Sequence, residues 1–493
     1  MTYNQASNLR LALTVGLFFF GLVLISNSSR ILGDPDTYWH IGAGRWMIEH
    51  LAVPTVDPFS SSITGTAWVA HEWLAEIIFA AIYQWFGWGG LLFLTALLVG
   101  ASLAAFSYLI GRWLEPLHTM LIVALGFLTL APHLLVRPHM VAMPLMITFV
   151  GGLVIARERK DRPSFWLLPV ICIWANLHGA FSLGLGFAVY FAVEALLHDG
   201  WRQGSQWLLF VGCAFGSVLL SPNGINGVLI LGTYISDIQF MTSVIQEWQS
   251  PDFHFFQPLE VWLLGFLFLS LSCGFRVPLM RLLILVGLVH LALKYARNGE
   301  LVGFLAPLVV LSSIAPQFYD AMRRGYGNLS SQAPWLFALV RPDDKQVTVS
   351  SRIVLIALAL LILPLTRFFM MDHDRKDGSS SPMTAVAAAR AAGVSGPVFN
   401  SYQFGGYLIF AGIPPFIDGR GELYGDKFVE RYVKAEGLAE GLTDLLSQYQ
   451  SGWALLRPDA VANLKFADLP DWRKLYADDF AVVYVHKGIL VSQ

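Results

Sequence analysis

Long apolar runs recur along the first three quarters of this chain and constrain it more than any other feature. They lie near residues 11–27, 88–111, 118–131, 139–156, 164–176, 178–197, 206–220, 258–273, 282–296, 300–315 and 351–370. An apolar helix of roughly 20 residues crosses the hydrocarbon core of a bilayer, so the pattern predicts a polytopic α-helical membrane protein with about 11–13 spans. Composition agrees, because 55% of the 493 residues are hydrophobic and only 13% are charged. Several runs fall short of a full crossing, and short or broken helices are tolerated where they line a cavity walled by protein or water. A formal net charge of −2 provides no basic stripe for nucleic acid. Cys172, Cys213 and Cys273 all lie inside apolar runs without CxxC spacing, which fits core packing better than a disulfide framework or a zinc site. The run Leu11–Ile25 follows Arg10 and reads as a signal anchor.

Loop charge gives sidedness. The loop 157–163, Arg202, the pair Arg276 and Arg281, and the loop 316–350 with Arg323, Arg324, Arg341 and Lys345 are basic, which assigns them and the N-terminus to the cytoplasm. Parity then requires that 72–86 or 88–111 does not cross completely, and 72–86 is the better choice. The outer face receives the first outer loop, 28–72, together with LVRPHM at 135–140, ANLHGA at 175–180, the stretch 221–253 and KYARNGE at 294–300. The expected location is a bacterial inner (plasma) membrane.

A transmembrane domain is expected over 1–375. Residues 380–493 change character, with strand patterns at 397–400, 414–418, 453–457 and 481–486 and helical patterns at 426–449 and 458–464. They predict a small C-terminal extracytoplasmic α/β domain, periplasmic by parity.

The polar words of the outer face are where chemistry is expected. Asp34 and Asp36 flank Pro35, and two carboxylates so close suit a divalent cation such as Mg²⁺ or Mn²⁺, or a base acting on a hydroxyl; helix capping is the structural alternative. After them, Tyr38 to His50 has the spacing of a short helix in the headgroup zone. Arg137, followed by Pro138 and His139, and Arg297 offer forked donors for a phosphate. Their structural alternative is a snorkelling arginine with a capping histidine. His40, Asp57, His71, Glu72, His178 and Glu247 are further candidates for orienting a hydroxyl or moving a proton. No HExxH spacing occurs, which speaks against a zinc hydrolase. In the tail, GGYLIFAGIPPFIDGRGELYGD combines close glycines with Asp418 and Arg420, as turns of an α/β domain or as an acceptor or docking surface.

The acid pair Asp34-Pro35-Asp36 just beyond the first span, the amphipathic first outer loop, about a dozen irregular spans and an outer C-terminal domain together resemble the GT-C superfamily of membrane glycosyltransferases. The resemblance implies transfer of a sugar, usually with inversion, from a polyprenyl-phosphate-linked donor to a glycan, lipid or protein acceptor on the outer face. It makes Asp34 the leading base or metal ligand, with Asp36 assisting, and Arg137 and Arg297 the holders of the donor phosphate. The chain departs from the superfamily in two words. AHEWLAE stands where many bacterial members carry a KPP-type motif, and there is no WWDYG-type signature, which argues against protein N-glycosylation. A transporter or flippase of a lipid-linked glycan, and a non-catalytic membrane scaffold in envelope glycan assembly, are the alternative functions.

Overall fold

The computed structural model describes residues 3–26, 28–236, 239–325 and 349–488. The apolar runs fold as helices, and among the described residues seven are long and apolar enough to cross a membrane. Shorter apolar helices, Leu167–Leu177 and Pro258–Cys273, join them, and the bundle encloses one large hydrophobic core. The chain is a multi-pass membrane protein. The window in Ser351–Met370 is only 6% buried, so nearly all of that helix is left for lipid. The helix expected over 300–315 runs on to Gly325, into what the sequence suggested was loop, and residues 326–348 of that basic loop lie outside the described residues.

Residues 73–110 form one helical run, Trp73–Ile110, broken at Gly87, whose φ of 59° and ψ of −155° no helix contains. Glycine takes this backbone without the steric penalty of a side chain. The half before the break is covered by the helix Asp36–His50 of the first loop. The approach is very close, since a Cβ on Gly44 would come within 2.0 Å of the Glu76 carbonyl oxygen.

The tail builds a four-stranded sheet from β1 (Val398–Asn400), β2 (Trp453–Leu456), β3 (Trp472–Ala477) and β4 (Val482–His486), in the order β1-β2-β4-β3. β1 and β2 are parallel, and the other pairs are antiparallel. Central β2 is buried at every position because one hydrophobic cluster covers each face of the sheet. One expected strand is absent here and one strand was not expected. Residues 414–418 are not a strand, because Pro414 and Pro415 lack N–H groups for a ladder; Asn400, Ser61 and Ser62 satisfy the segment instead. β3 carries Arg473 and Lys474 on an exposed edge, and its apolar alternation is too weak to have been seen. The helical region 426–449 is two helices, Asp426–Leu438 and Leu442–Gln448, separated by left-handed Ala439 and Gly441.

Candidate active site

Arg137 is the hub of the site. Preceding a proline, it takes extended backbone (φ −132°, ψ 159°) at the head of the helix Pro138–Glu158, as the proline ring demands. Its guanidinium forks onto Asp34, with Nε donating to Oδ2 at 2.5 Å and Nη2 to Oδ1 at 2.8 Å. Nη2 also lies 3.0 Å from Asp36 Oδ2, and Nη1 donates to both Glu247 oxygens at 2.9 and 2.7 Å. One cation therefore faces three carboxylates. The Asp34 side chain is 1% exposed, whereas Asp36 and Glu247 keep 21% and 28%.

Burial is the largest influence on Asp36 and pushes its carboxyl up to about 8, opposed by Arg137 and reinforced by the charges of Asp34 and Glu247. Glu247 is also buried, but Arg137 and Arg297 outweigh that and hold it below the usual carboxylate range. The same acids hold the Arg137 guanidinium charged against its own burial.

Several elements fix this arrangement. Arg375, from the linker after the last span, donates to the carbonyls of Gly33 and Asp34 and to Ser380, while its guanidinium lies 4.0 Å from the Tyr38 ring centroid. The tail presses on the acids directly. A Cβ on Gly419 would meet Asp36 Oδ1 at 2.0 Å, and one on Gly406 would meet the Pro35 carbonyl oxygen at 2.4 Å. These tail glycines thus permit contact with the acid pair rather than only turning the chain.

Arg297 stands beside this cluster. Its guanidinium lies 5.0 Å from the ring centroid of Trp248, the neighbour of Glu247 on the 3-10 turn Gln246–Trp248, and among the described residues no carboxylate forms an ion pair with it. Next to it opens a cavity of about 450 Å³. Its walls include Pro132, Leu135, Ile245, Pro258 and Leu259, with His133 and Glu247 as polar members.

The histidine candidates form a second, drier group. His178 Nε2 is 3.5 Å and His71 Nε2 is 3.8 Å from Glu72 Oε1, and the rings of His139 and His178 are 6.3 Å apart. Burial is the main cause that lowers the affinity of His178 for a proton and raises that of Glu72. His40 lies deeper, 3.5 Å from Glu76 and with its ring centroid 3.7 Å from that of Trp39, and burial likewise lowers its affinity for a proton. Asp57 stands apart from the acids. It accepts from Arg420 at 2.8 Å, and Arg420 also forks onto Asp418, which accepts from Tyr424; Arg420, Asp57 and Asp418 are all 0% exposed. That clamp ties the first loop to the tail.

Asp34 and Asp36 do not fit a Mg²⁺ or Mn²⁺ ion as arranged, because both Asp34 oxygens already accept from Arg137, which would have to leave. Among the described residues no group of three or more His, Cys, Asp and Glu side chains is arranged to hold a metal ion. Sequence reasoning missed Arg375, Gly419 and Glu76. Only Arg375 left a signal, as a charged word following the last apolar run.

No family model matches the chain, and no curated protein matches it significantly. Solved structures do. The apo oligosaccharyltransferase of Archaeoglobus fulgidus superposes with a TM-score of 0.53 at 11% identity, covering 93% of this chain and 70% of that one. ArnT from Cupriavidus metallidurans bound to undecaprenyl phosphate superposes with a TM-score of 0.50 at 14% identity, covering 98% of this chain and 99% of that one. Its apo state matches equally well, at 0.50 and 14% over 98% of each chain. This chain shares the fold of both proteins.

Proposed function

We propose that the protein is a membrane glycosyltransferase that moves a sugar from a polyprenyl-phosphate-linked donor to an acceptor hydroxyl on the outer face of the bacterial inner membrane, with the N-terminus cytoplasmic and the tail domain periplasmic. The observation that carries the reading is the three-carboxylate cluster on Arg137 at the end of the first span, beside Arg297, which makes no direct ion pair among the described residues, and a largely apolar cavity. The fold it shares with a protein bound to undecaprenyl phosphate supports the donor class.

In this reading Asp36 is the base. Sequence reasoning put Asp34 first, but Asp34 is closed off by Arg137 on both oxygens, whereas Asp36 is more exposed and titrates near the working pH, where a base is most effective. Asp36 takes the acceptor's proton as its oxygen attacks the anomeric carbon from the face opposite the leaving group. The bond from that carbon to the phosphate oxygen breaks with inversion, and the polyprenyl phosphate departs with the negative charge. Arg297 binds that phosphate and stabilises the charge developing on it; the neighbouring cavity accommodates the first isoprene units. Asp34 holds Arg137, and Arg137 holds the acids in register. No step is routed through a divalent cation.

The test is transfer from a labelled polyprenyl-phosphate sugar in detergent. Asp36→Asn is expected to lower the rate by about 10²–10⁴-fold while insertion and melting temperature persist. The wild-type rate should rise with pH and level off above about 8, since only the deprotonated carboxylate accepts the proton. Unchanged transfer by Asp36→Asn would sink the assignment.

A further inference from the structure

The outer stretch 239–250 lies between the tail and the spans and is held by both. Toward the tail, the backbone N–H groups of Phe240 and Met241 donate to the two carboxylate oxygens of Asp426 at 2.8 and 3.2 Å. Asp426 opens the tail helix Asp426–Leu438. Met241 is 3% exposed within the tail's own hydrophobic cluster, against which Phe240, Ile245 and Trp248 also pack. The docking is tight, since a Cβ on Gly421 would meet Met241 Sδ at 2.8 Å. Toward the spans, Glu247 accepts from Arg137, the Trp248 ring centroid lies 5.0 Å from the Arg297 guanidinium, and the Gln249 carbonyl accepts from Ala296 N at 2.8 Å.

The stretch cannot hold this position by itself. Its helix, Gln239–Val244, has 6 residues, and isolated helices below about 12–15 residues are marginal in water. Hydrophobic packing of Met241 draws it to the tail but is non-directional. A carboxylate that takes two adjacent N–H groups in charge-assisted bonds also fixes rotation and register. Internal bonds carry that register to the site. Ile245 N donates to Met241 O at 2.9 Å, Trp248 N to Ile245 O at 3.0 Å, and Gln249 Nε2 to Ser243 O at 2.7 Å. A shift at Met241 is therefore passed on to Trp248 rather than absorbed between them.

We infer that Asp426 is a positioning residue: by holding Phe240 and Met241 it sets Trp248 beside Arg297 and Glu247 on Arg137, and so makes affinity for the donor phosphate depend on the tail domain. Among the described residues Asp426 forms no ion pair with either arginine, so it acts through the stretch. This role rests on Arg297 binding the donor phosphate, as proposed above.

The full chain in detergent is probed with farnesyl phosphate, with farnesol as the control that lacks the phosphate, and by hydrogen exchange read over 240–250 by mass spectrometry. Asp426→Ala is expected to speed exchange over 240–248 and to weaken farnesyl phosphate about tenfold, leaving farnesol as in wild type. Asp426→Asn, the variant to use where Asp426→Ala does not fold, keeps one acceptor oxygen and should weaken it about threefold, the worth of one hydrogen bond. Trp248→Ala should weaken the phosphate as Asp426→Ala does, and the double variant should lose less than about twofold more, because both changes remove the same support. Unchanged exchange, unchanged phosphate affinity, equal weakening of farnesol, or effects of the two variants that simply add would each overturn the role of Asp426. Arg297→Ala separates this role from the reading beneath it. If Arg297→Ala binds farnesyl phosphate as wild type does, the phosphate assignment falls and takes the role of Asp426 with it. If Arg297→Ala loses binding while Asp426→Ala does not, the assignment stands and the role of Asp426 alone falls.

Discussion

Arg137 and Arg420 each bridge carboxylates from distant parts of the chain, and their surroundings are opposite. Arg420 holds two acids, Asp57 and Asp418, with Trp68 and Phe59 under its guanidinium and no exposure. Every group there is sealed from solvent and hydrogen-bonded, as a structural tie between loop and tail requires. Arg137 holds three acids and keeps 20% of its side chain exposed, so negative charge is in excess where a ligand can reach it. Access, more than the arginine–carboxylate pairing itself, separates a site from a clamp.

The largest expected effect tests the clamp. Arg420→Gln leaves Asp57 and Asp418 buried without a cation and should destabilise the protein by about 3–5 kcal/mol, measured by thermal unfolding in detergent. Arg137→Gln should cost less, toward the lower end of that range, because it leaves Asp34 buried without a cation while Asp36 and Glu247 keep some contact with solvent, yet it should abolish transfer. Equal stability losses would erase the distinction.

A smaller effect concerns protons. Folding raises the Asp36 carboxyl from 3.8 to about 8, so the folded state binds that proton more tightly and wild type loses stability as pH rises through this window. Asp36→Asn does not titrate. Its melting temperature relative to wild type should therefore climb from about pH 5 to about pH 8 and level off above. A flat difference would mean that Asp36 is ionised throughout. The smallest expected effect is none at all. With Arg137 seated between the acids, transfer should be unchanged by EDTA, and loss of activity that Mn²⁺ restores would show that a metal displaces the arginine.

Much of the fold was legible because lipid imposes a one-dimensional rule. Apolar runs become helices, and the helix after Asp34-Pro35-Asp36 followed from its spacing. The residues of the candidate cluster were legible one by one too, since Asp34, Asp36, Arg137, Glu247 and Arg297 are polar words in a chain poor in charge. Their partnership was not. Arg137 is 103 residues from Asp34 and 110 from Glu247, and nothing local couples them. The same holds for Asp57, which resembled a site acid until Arg420, 363 residues away, closed on it. The strand at 472–477 was missed because an exposed edge needs no apolar alternation.

By itself, the sequence determined that this chain lives in a membrane, that its tail mixes strands with helices, and which side chains are too costly to be there without a reason. Solvent transfer energies act residue by residue, so they can be read in order along the chain. Only the tertiary structure decided which acids solvent can reach and which are sealed, that the tail glycines abut the acid pair, and that Arg297 stands beside a cavity without a direct ion pair among the described residues. Ion pairing and burial depend on distances between segments far apart in sequence, and those distances exist only once the helices have packed.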